Sequence, residues 1–421
     1  MEIYRTIDGK ISHFKGKILF ISGPRQAGKT FFVEHKLKPN LTLNMDVSKN
    51  RIAFKQFPDF IINWFNSNVG PFPEKGEQAS KPLVFIDEIH KVVGWRNIIK
   101  GTFDRTAHAI DYVASGSSAF KLRRQDKGDS LAGRAIWLNL FPVSFREYVG
   151  TCAPEIKLPE KWKAGNSLIE LCRANLNYKE QLRGLWNDYI KFGSFPECLV
   201  RRDEVFQKQW LEDYLSSMLD RDLKDLHTAK DVERVYQVFQ LLLEGLGSTY
   251  SLKGMAETLG VSPNTVKSDV NALKQVLWGF DLPVANVSKA KQIRKEKKFY
   301  PMDFCFTKFN QPSAEGSSFE CVAACILRRG LYDDISGILP SLDLGFFRDY
   351  AKKELDFIVR DKKNIYFAIE CKLKRSSDNN LRNFLAFKPK EAILLIEDPG
   401  IFEFQNSICA ISIELLAPCF E

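Results

Sequence analysis

KILFISGPRQAGKT (residues 17–30) decides the fold of the first third of the chain. Its apolar run ILFIS reads as a buried parallel strand. GPRQAGKT then matches G-x-x-x-x-G-K-T, and FFVEHKL follows as a helix start. The pattern needs these residue types. Glycines let backbone N–H groups curl around phosphate oxygens, and the start of a helix adds partial positive charge. Lys29 is placed to reach the β- and γ-phosphates, and Thr30 to offer a hydroxyl to Mg²⁺. The loop expected to hold the nucleotide comprises Gly23, Pro24, Arg25, Gln26, Ala27, Gly28, Lys29, Thr30 and Phe31.

LVFIDE (83–88) and IDYVAS (110–115) are two further buried strands between helical stretches. This alternation predicts an α/β domain with a parallel sheet. Asp87 ends its strand at the edge where such sheets bind ligands. It is expected to complete the Mg²⁺ shell with Thr30, while Glu88 polarises the attacking water. An acidic pair at a strand end also suits capping of the next helix. Ser115 ends the next strand with Ser117 and Ser118 just beyond it, and any of these hydroxyls suits sensing of the terminal phosphate. Arg134 in SLAGRA fits either a surface ion pair or a guanidinium finger reaching a neighbouring subunit's nucleotide.

The 421 residues are enough for two to four domains, and 44% hydrophobic with 27% charged residues is an ordinary globular composition. No apolar run approaches the length that crosses a bilayer, and the start lacks a signal-peptide layout. The expectation is a cytoplasmic protein with no membrane partner. Nine cysteines without a C-x-x-C pair suggest reduced thiols, and five scattered histidines offer no zinc pattern. The net charge of +9 is compatible with nucleic acid but does not require it. KLRR (121–124) and KAKQIRKEKK (289–298) concentrate it, and each suits a solvated loop as well as a phosphate contact.

Motif order adds a resemblance. GPRQAGKT, LNMD (43–46), FIDEIHKV (85–92), ASGSS (114–118), SLAGRA (130–135) and LFPVSFREY (140–148) resemble the AAA-type ATPases of bacteria and archaea that carry a C-terminal restriction-endonuclease-like domain. The resemblance implies an additional-strand P-loop fold with helices on both faces of the sheet. It also implies ATP with Mg²⁺ as cofactors, Asp87 and Glu88 as the second acidic motif, and Arg134 as a finger acting in trans in a homo-oligomer. This chain has Ser115-Gly116-Ser117 where such proteins commonly show Thr-Gly-Ser.

The implied organisation is an AAA-type domain over 1–150, a helical connection over 151–235, a winged-helix-like unit with a basic tail over 236–298, and an α/β nuclease-like domain over 299–421. SLKGMAETLGVSPNTVKSDVNALKQV (251–276) has a helix-turn-helix outline, with Gly260 at the turn and Ser262-Pro263 starting the second helix. Thr265, Lys267, Ser268 and Asn271 then face outward. They suit DNA, with Asp269 among them as a counter-signal, and such a unit also serves as a packing module.

ELDFIVRDKKNIYFAIECKLK (354–374) reads as a hairpin with its turn near Lys363, placing Asp356 across from Glu370. Glu370 and Lys372 share a face because strand residues two apart do. Glu320 lies on an upstream helix outside its apolar stripe. Helix then D…E-x-K resembles the PD-(D/E)XK nuclease fold. It makes Glu320, Asp356 and Glu370 candidate ligands for Mg²⁺ or Mn²⁺, and Asp356, Glu370 and Lys372 candidate catalytic residues. The same residues fit an ordinary cross-face ion pair, or a nuclease-like scaffold that binds a protein partner without cutting.

Overall fold

The computed structural model describes residues 3–7, 11, 16–74, 81–116, 131–223, 229–285, 296–309, 316–331, 342–348, 354–374, 385 and 388–420. The expectations for Ser117, Ser118, KLRR (121–124), most of the basic run 289–298 and most of LRNFLAF (381–387) lie outside the described residues. The chain forms two compact units, one over 5–142 and one built mainly from 143–332 and 339–421.

In the first unit the elements run β1 (Ile18–Ser22), α1 (Lys29–Phe32), β2 (Leu41–Asn44), α2 (Ser48–Lys55), α3 (Asp59–Asn68), β3 (Leu83–Asp87), α4 (Trp95–Thr106), β4 (Asp111–Gly116) and β5 (Ala135–Asn139). The five strands are all parallel, in the order β2-β3-β4-β1-β5. β4 therefore stands between the phosphate-loop strand and the acidic strand, as the resemblance implied. Alternate residues serve two cores. Ile18, Phe20, Val84 and Ile86 pack with Phe54, Ile61 and Ile99 from α2, α3 and α4. Leu19, Ile21, Phe85 and Val113 pack with Phe32 and Val33, at the end of α1 and in the turn after it. A sheet covered on both faces needs continuous apolar strands, which is why these runs do not alternate with polar residues.

The second unit opens with five helices: α5 (Phe145–Cys152), α6 (Leu168–Ala174), α7 (Lys179–Phe192), α8 (Pro196–Arg201) and α9 (Glu204–Ser217). Next come α10 (Ala229–Glu244), β6 (Thr249–Tyr250), α11 (Leu252–Leu259), α12 (Pro263–Gln275), β7 (Gly279–Leu282) and β8 (Lys297–Pro301). The three strands pair antiparallel in the order β6-β8-β7. Gly260 takes the left-handed conformation that ends α11, and the Ser262 hydroxyl accepts the Thr265 N–H at the start of α12. Asp269, expected among outward groups, is instead fully buried. Arg234 on α10 reaches it with two bonds of 2.8 and 3.1 Å.

The chain ends with α13 (Ser317–Leu331), β9 (Asp343–Arg348), β10 (Glu354–Arg360), β11 (Ile365–Lys372), β12 (Glu391–Ile396), β13 (Phe402–Gln405), β14 (Ile408–Ser412) and α14 (Ile413–Leu416). Its six strands run β13-β14-β12-β11-β10-β9, with parallel pairing at β11/β12 and β12/β14 and antiparallel pairing elsewhere. One continuous core joins the helices, the three-stranded sheet and one face of the six-stranded sheet. Trp162 illustrates it, stacking edge-on against Phe367 of β11. No helix among the described residues is long and apolar enough to cross a membrane.

Two glycines in the second unit should respond oppositely to alanine. A Cβ on Gly330 of α13 would lie 2.3 Å from Phe420, whereas one on Gly184 of α7 would meet nothing within 4 Å. Gly330→Ala should cost about 1–3 kcal/mol by overpacking. Gly184→Ala should gain up to about 1 kcal/mol in helix propensity. Thermal unfolding of the two variants beside wild type measures both, and a rise for Gly330→Ala would contradict the packing.

Candidate functional site

The strand register of the first unit collects polar groups at one edge of the sheet. Ser22 pairs with Gly116 and Asn139, and Asn44 pairs with Asp87, so β1, β3 and β4 end close together. The phosphate loop leaves directly from Ser22. A Cβ on Gly23 would stand 2.0 Å from the Leu140 carbonyl oxygen, so that position requires glycine. Gln26 and Gly28 have φ of 57° and 91° and turn the loop toward α1. Pro24, Ala27 and Lys29 are buried, Arg25, Gly28 and Thr30 are partly so, and Gln26 and Phe31 are exposed. The Phe31 ring stacks on His35 at 3.8 Å. Lys29 Nζ donates to the carbonyls of Gly23 at 3.0 Å and Pro24 at 2.8 Å. Arg5, which sequence reasoning missed, is buried and bonds the Ala27 and Phe141 carbonyls. It braces the loop from beneath.

The acidic strand meets this loop. Thr30 Oγ1 donates to Asp87 Oδ2 at 3.0 Å, and the buried Ser115 hydroxyl donates to Asp87 Oδ1. Burial raises the Asp87 pKa, with Ser115 opposing it and Glu88 adding to the rise. Glu88 has φ of 55°, a left-handed conformation that costs a residue with a Cβ about 1–2 kcal/mol. Its N–H points to Ser115 Oγ at 3.4 Å, and its carboxylate lies 3.5 Å from His90 Nε2. His90 was also missed, although it stands two residues after the acid in DEIH. Ser115 thus contacts both members of the acidic pair, through the Asp87 carboxylate and the Glu88 N–H. Thr30 and Asp87 place two oxygen ligands side by side, a donor set that fits a hard cation such as Mg²⁺.

Arg134 forms a two-pronged pair with Asp104 of α4, at 2.5 and 3.2 Å, and its side chain is 36% exposed. The hydrogen bond to Asp104 raises its pKa.

In the second unit, Lys267, Ser268 and Asn271 are exposed on α12 and Thr265 is partly so. Lys267 and Asn271 line a cleft of about 220 Å³ together with Lys274, Asp281 and Lys297. Asp281 takes Lys274 at 2.7 Å and Lys297 at 3.3 Å.

The hairpin β10–β11 pairs Phe357 with Ile369, which sets Asp356 opposite Glu370. Lys372 Nζ donates to Glu370 Oε1 at 3.0 Å. Asp356 Oδ2 accepts the Cys371 N–H at 2.8 Å. Glu320 Oε1 accepts Lys298 Nζ at 2.8 Å and the Tyr300 hydroxyl. A divalent cation needs carboxylate oxygens turned to one point. Among the described residues no group of three or more His, Cys, Asp or Glu side chains is arranged to hold one. Glu320, Asp356 and Glu370 all accept from protein donors: Glu320 from Lys298 and Tyr300, Asp356 from the Cys371 N–H, and Glu370 from Lys372. Lys298, expected on a solvated basic segment, is fully buried on β8. The apolar FYPM that follows it is the signal that the basic run ends inside a strand.

With this geometry in hand, residues 15–149 match the family model of the AAA domain. The N-terminal region is an AAA-type P-loop ATPase domain. Residues 183–306 match a domain of unknown function (DUF8612), and residues 315–416 match another (DUF4143). Two uncharacterized proteins of Methanocaldococcus jannaschii are each 24% identical. One matches over 323 residues, 70% of this chain and 63% of that protein; the other over 254 residues, 60% and 52%. The chain thus spans less than two thirds of these relatives. Among solved structures, the Aeropyrum pernix ORC1 protein in complex with DNA is 14% identical with a TM-score of 0.29, covering 70% of this chain and 86% of that one. A likeness that slight carries no argument.

Ser115→Ala removes one of the two hydroxyls on Asp87. Affinity for Mg²⁺-nucleotide should fall about tenfold, the worth of one hydrogen bond to a charged group, while affinity without Mg²⁺ stays close to wild type. Titration with a fluorescent nucleotide in Mg²⁺ and in chelator separates the two, and equal losses in both would contradict the role given to Ser115.

Proposed function

We propose that the chain hydrolyses ATP at the edge of the five-stranded sheet and couples that turnover to DNA. The contact of Thr30 with Asp87 carries the first half of this reading, because it joins the phosphate loop to the acidic strand. Lys29, now on loop carbonyls, is in position to exchange them for β- and γ-phosphate oxygens. Thr30 and Asp87 would hold Mg²⁺, which supplies neutralisation of phosphate charge when bound. Glu88 accepts the proton of the attacking water, and His90 and Ser115 keep it oriented. Arg134 leaves Asp104 to act as a finger on a neighbouring subunit's nucleotide in a homo-oligomer.

Lys29→Ala should abolish turnover. Arg134→Ala should lower it about 10³-fold or more while sparing affinity. Mixing Arg134→Ala with Glu88→Gln protein should restore part of it, because each supplies what the other lacks. A phosphate-release assay measures all three, and absence of rescue would remove the finger in trans.

For the second half, the order α10-β6-α11-α12-β7-β8 supports a winged-helix reading, with α12 as the groove helix. Withdrawal of Asp269 to Arg234 supports it further, since the outward face keeps Lys267 without that acid. The six-stranded sheet with α13 before its hairpin supports a nuclease-like framework. The ion pairs of its carboxylates favour the second reading, in which that framework is a scaffold that does not cut.

Binding of duplex DNA should weaken steeply with salt. Lys267→Ala should reduce the slope of log K against log salt by about one unit, the share of one phosphate contact. Fluorescence anisotropy at several salt concentrations tests it, and an unchanged slope would take α12 out of the interface.

A further inference from the structure

The hairpin carboxylates surround a cation that the chain itself provides. Lys298 Nζ lies 2.8 Å from Glu320 of α13, 2.5 Å from Glu354 of β10 and 3.8 Å from Asp356 of β10. An ammonium has three N–H donors and no acceptor, and three carboxylates answer it. The Lys298 side chain is 1% exposed, against 13% for Glu320 and 15% for Asp356. Burial alone disfavours its charge. Glu320, Asp356 and Glu354 outweigh burial and raise its pKa.

We infer that Lys298 is the resident cation of this cluster in place of a divalent metal, and that the carboxylates form an ion-pair socket joining β8 to α13 and β10. Three observations carry this. The ammonium sits at hydrogen-bond distance from Glu320 and Glu354 and close to Asp356, so a divalent ion on Glu320 or Asp356 would stand beside a buried positive charge. Tyr300, next but one on β8, donates to the same Glu320 oxygen, so the strand grips that acid twice. The other oxygen lies near the chain at Gly247, where an added Cβ would stand 3.0 Å from Glu320 Oε2. The residues therefore do not fit a divalent ion as they stand. These ion pairs do not depend on the DNA reading of α12, so either can fail without the other.

The test uses the full chain without nucleotide and Mn²⁺ as the probe. Electron paramagnetic resonance of free Mn²⁺ should be the same for wild type and Asp356→Asn. An ion retained by wild type and lost in Asp356→Asn would overturn the inference. Lys298→Met should unfold several degrees lower, because it strands buried carboxylates. Mn²⁺ should raise that midpoint again, and the rise should vanish in the Lys298→Met, Asp356→Asn double variant. A Lys298→Met protein that melts with wild type and ignores Mn²⁺ would also overturn it. Should Lys298→Met fail to fold, the comparison of wild type with Asp356→Asn still decides.

Discussion

Parallel register at one sheet edge is the constraint on which the nucleotide site depends. Ser22, Asp87 and Ser115 lie far apart in sequence and stand at or next to the ends of neighbouring strands. The additional strand β4 matters because it carries Ser115 to Asp87. Without that donor, a raised-pKa carboxylate at a strand end would have Thr30 as its remaining hydroxyl partner. The loop is held with similar economy. Gly23 permits the approach to Leu140 that no side chain would allow, and Arg5 ties Ala27 to Phe141.

Much of this was legible because it is local. A strand, G-x-x-x-x-G-K-T and a helix start are contiguous, and LVFIDE names its own strand end. The strand β4 was legible too, but the partner of Ser115 was not, because that contact depends on strand order. Arg134 showed the same limit: its pairing with Asp104 joins α4 to the loop before β5, and no periodicity relates them. His90 escaped notice because a histidine two residues beyond an acid has no fixed meaning until the backbone turns at Glu88.

The second unit was legible in outline and misleading in charge. The hairpin register, the turn at Gly260 and the cap at Ser262 follow from turn and cap chemistry. Asp269 and Lys298 did not, because a charged residue in a polar stretch reads as solvated by default. Both are buried and paired, Asp269 with Arg234 and Lys298 with Glu320 and Glu354. A third such pair, Arg329 with Asp303, lies in the same unit. Buried pairs of this kind add little net stability, yet removing one partner is costly.

The closure of β8 over the hairpin has a mechanical consequence. β8 is bonded along its length to β7, and its first buried side chain ends among carboxylates of α13 and β10. A pull on β7 or β8 therefore reaches the six-stranded sheet through directed, short-range bonds as well as through sliding apolar contact. Such a link transmits small displacements stiffly and releases all at once when it parts.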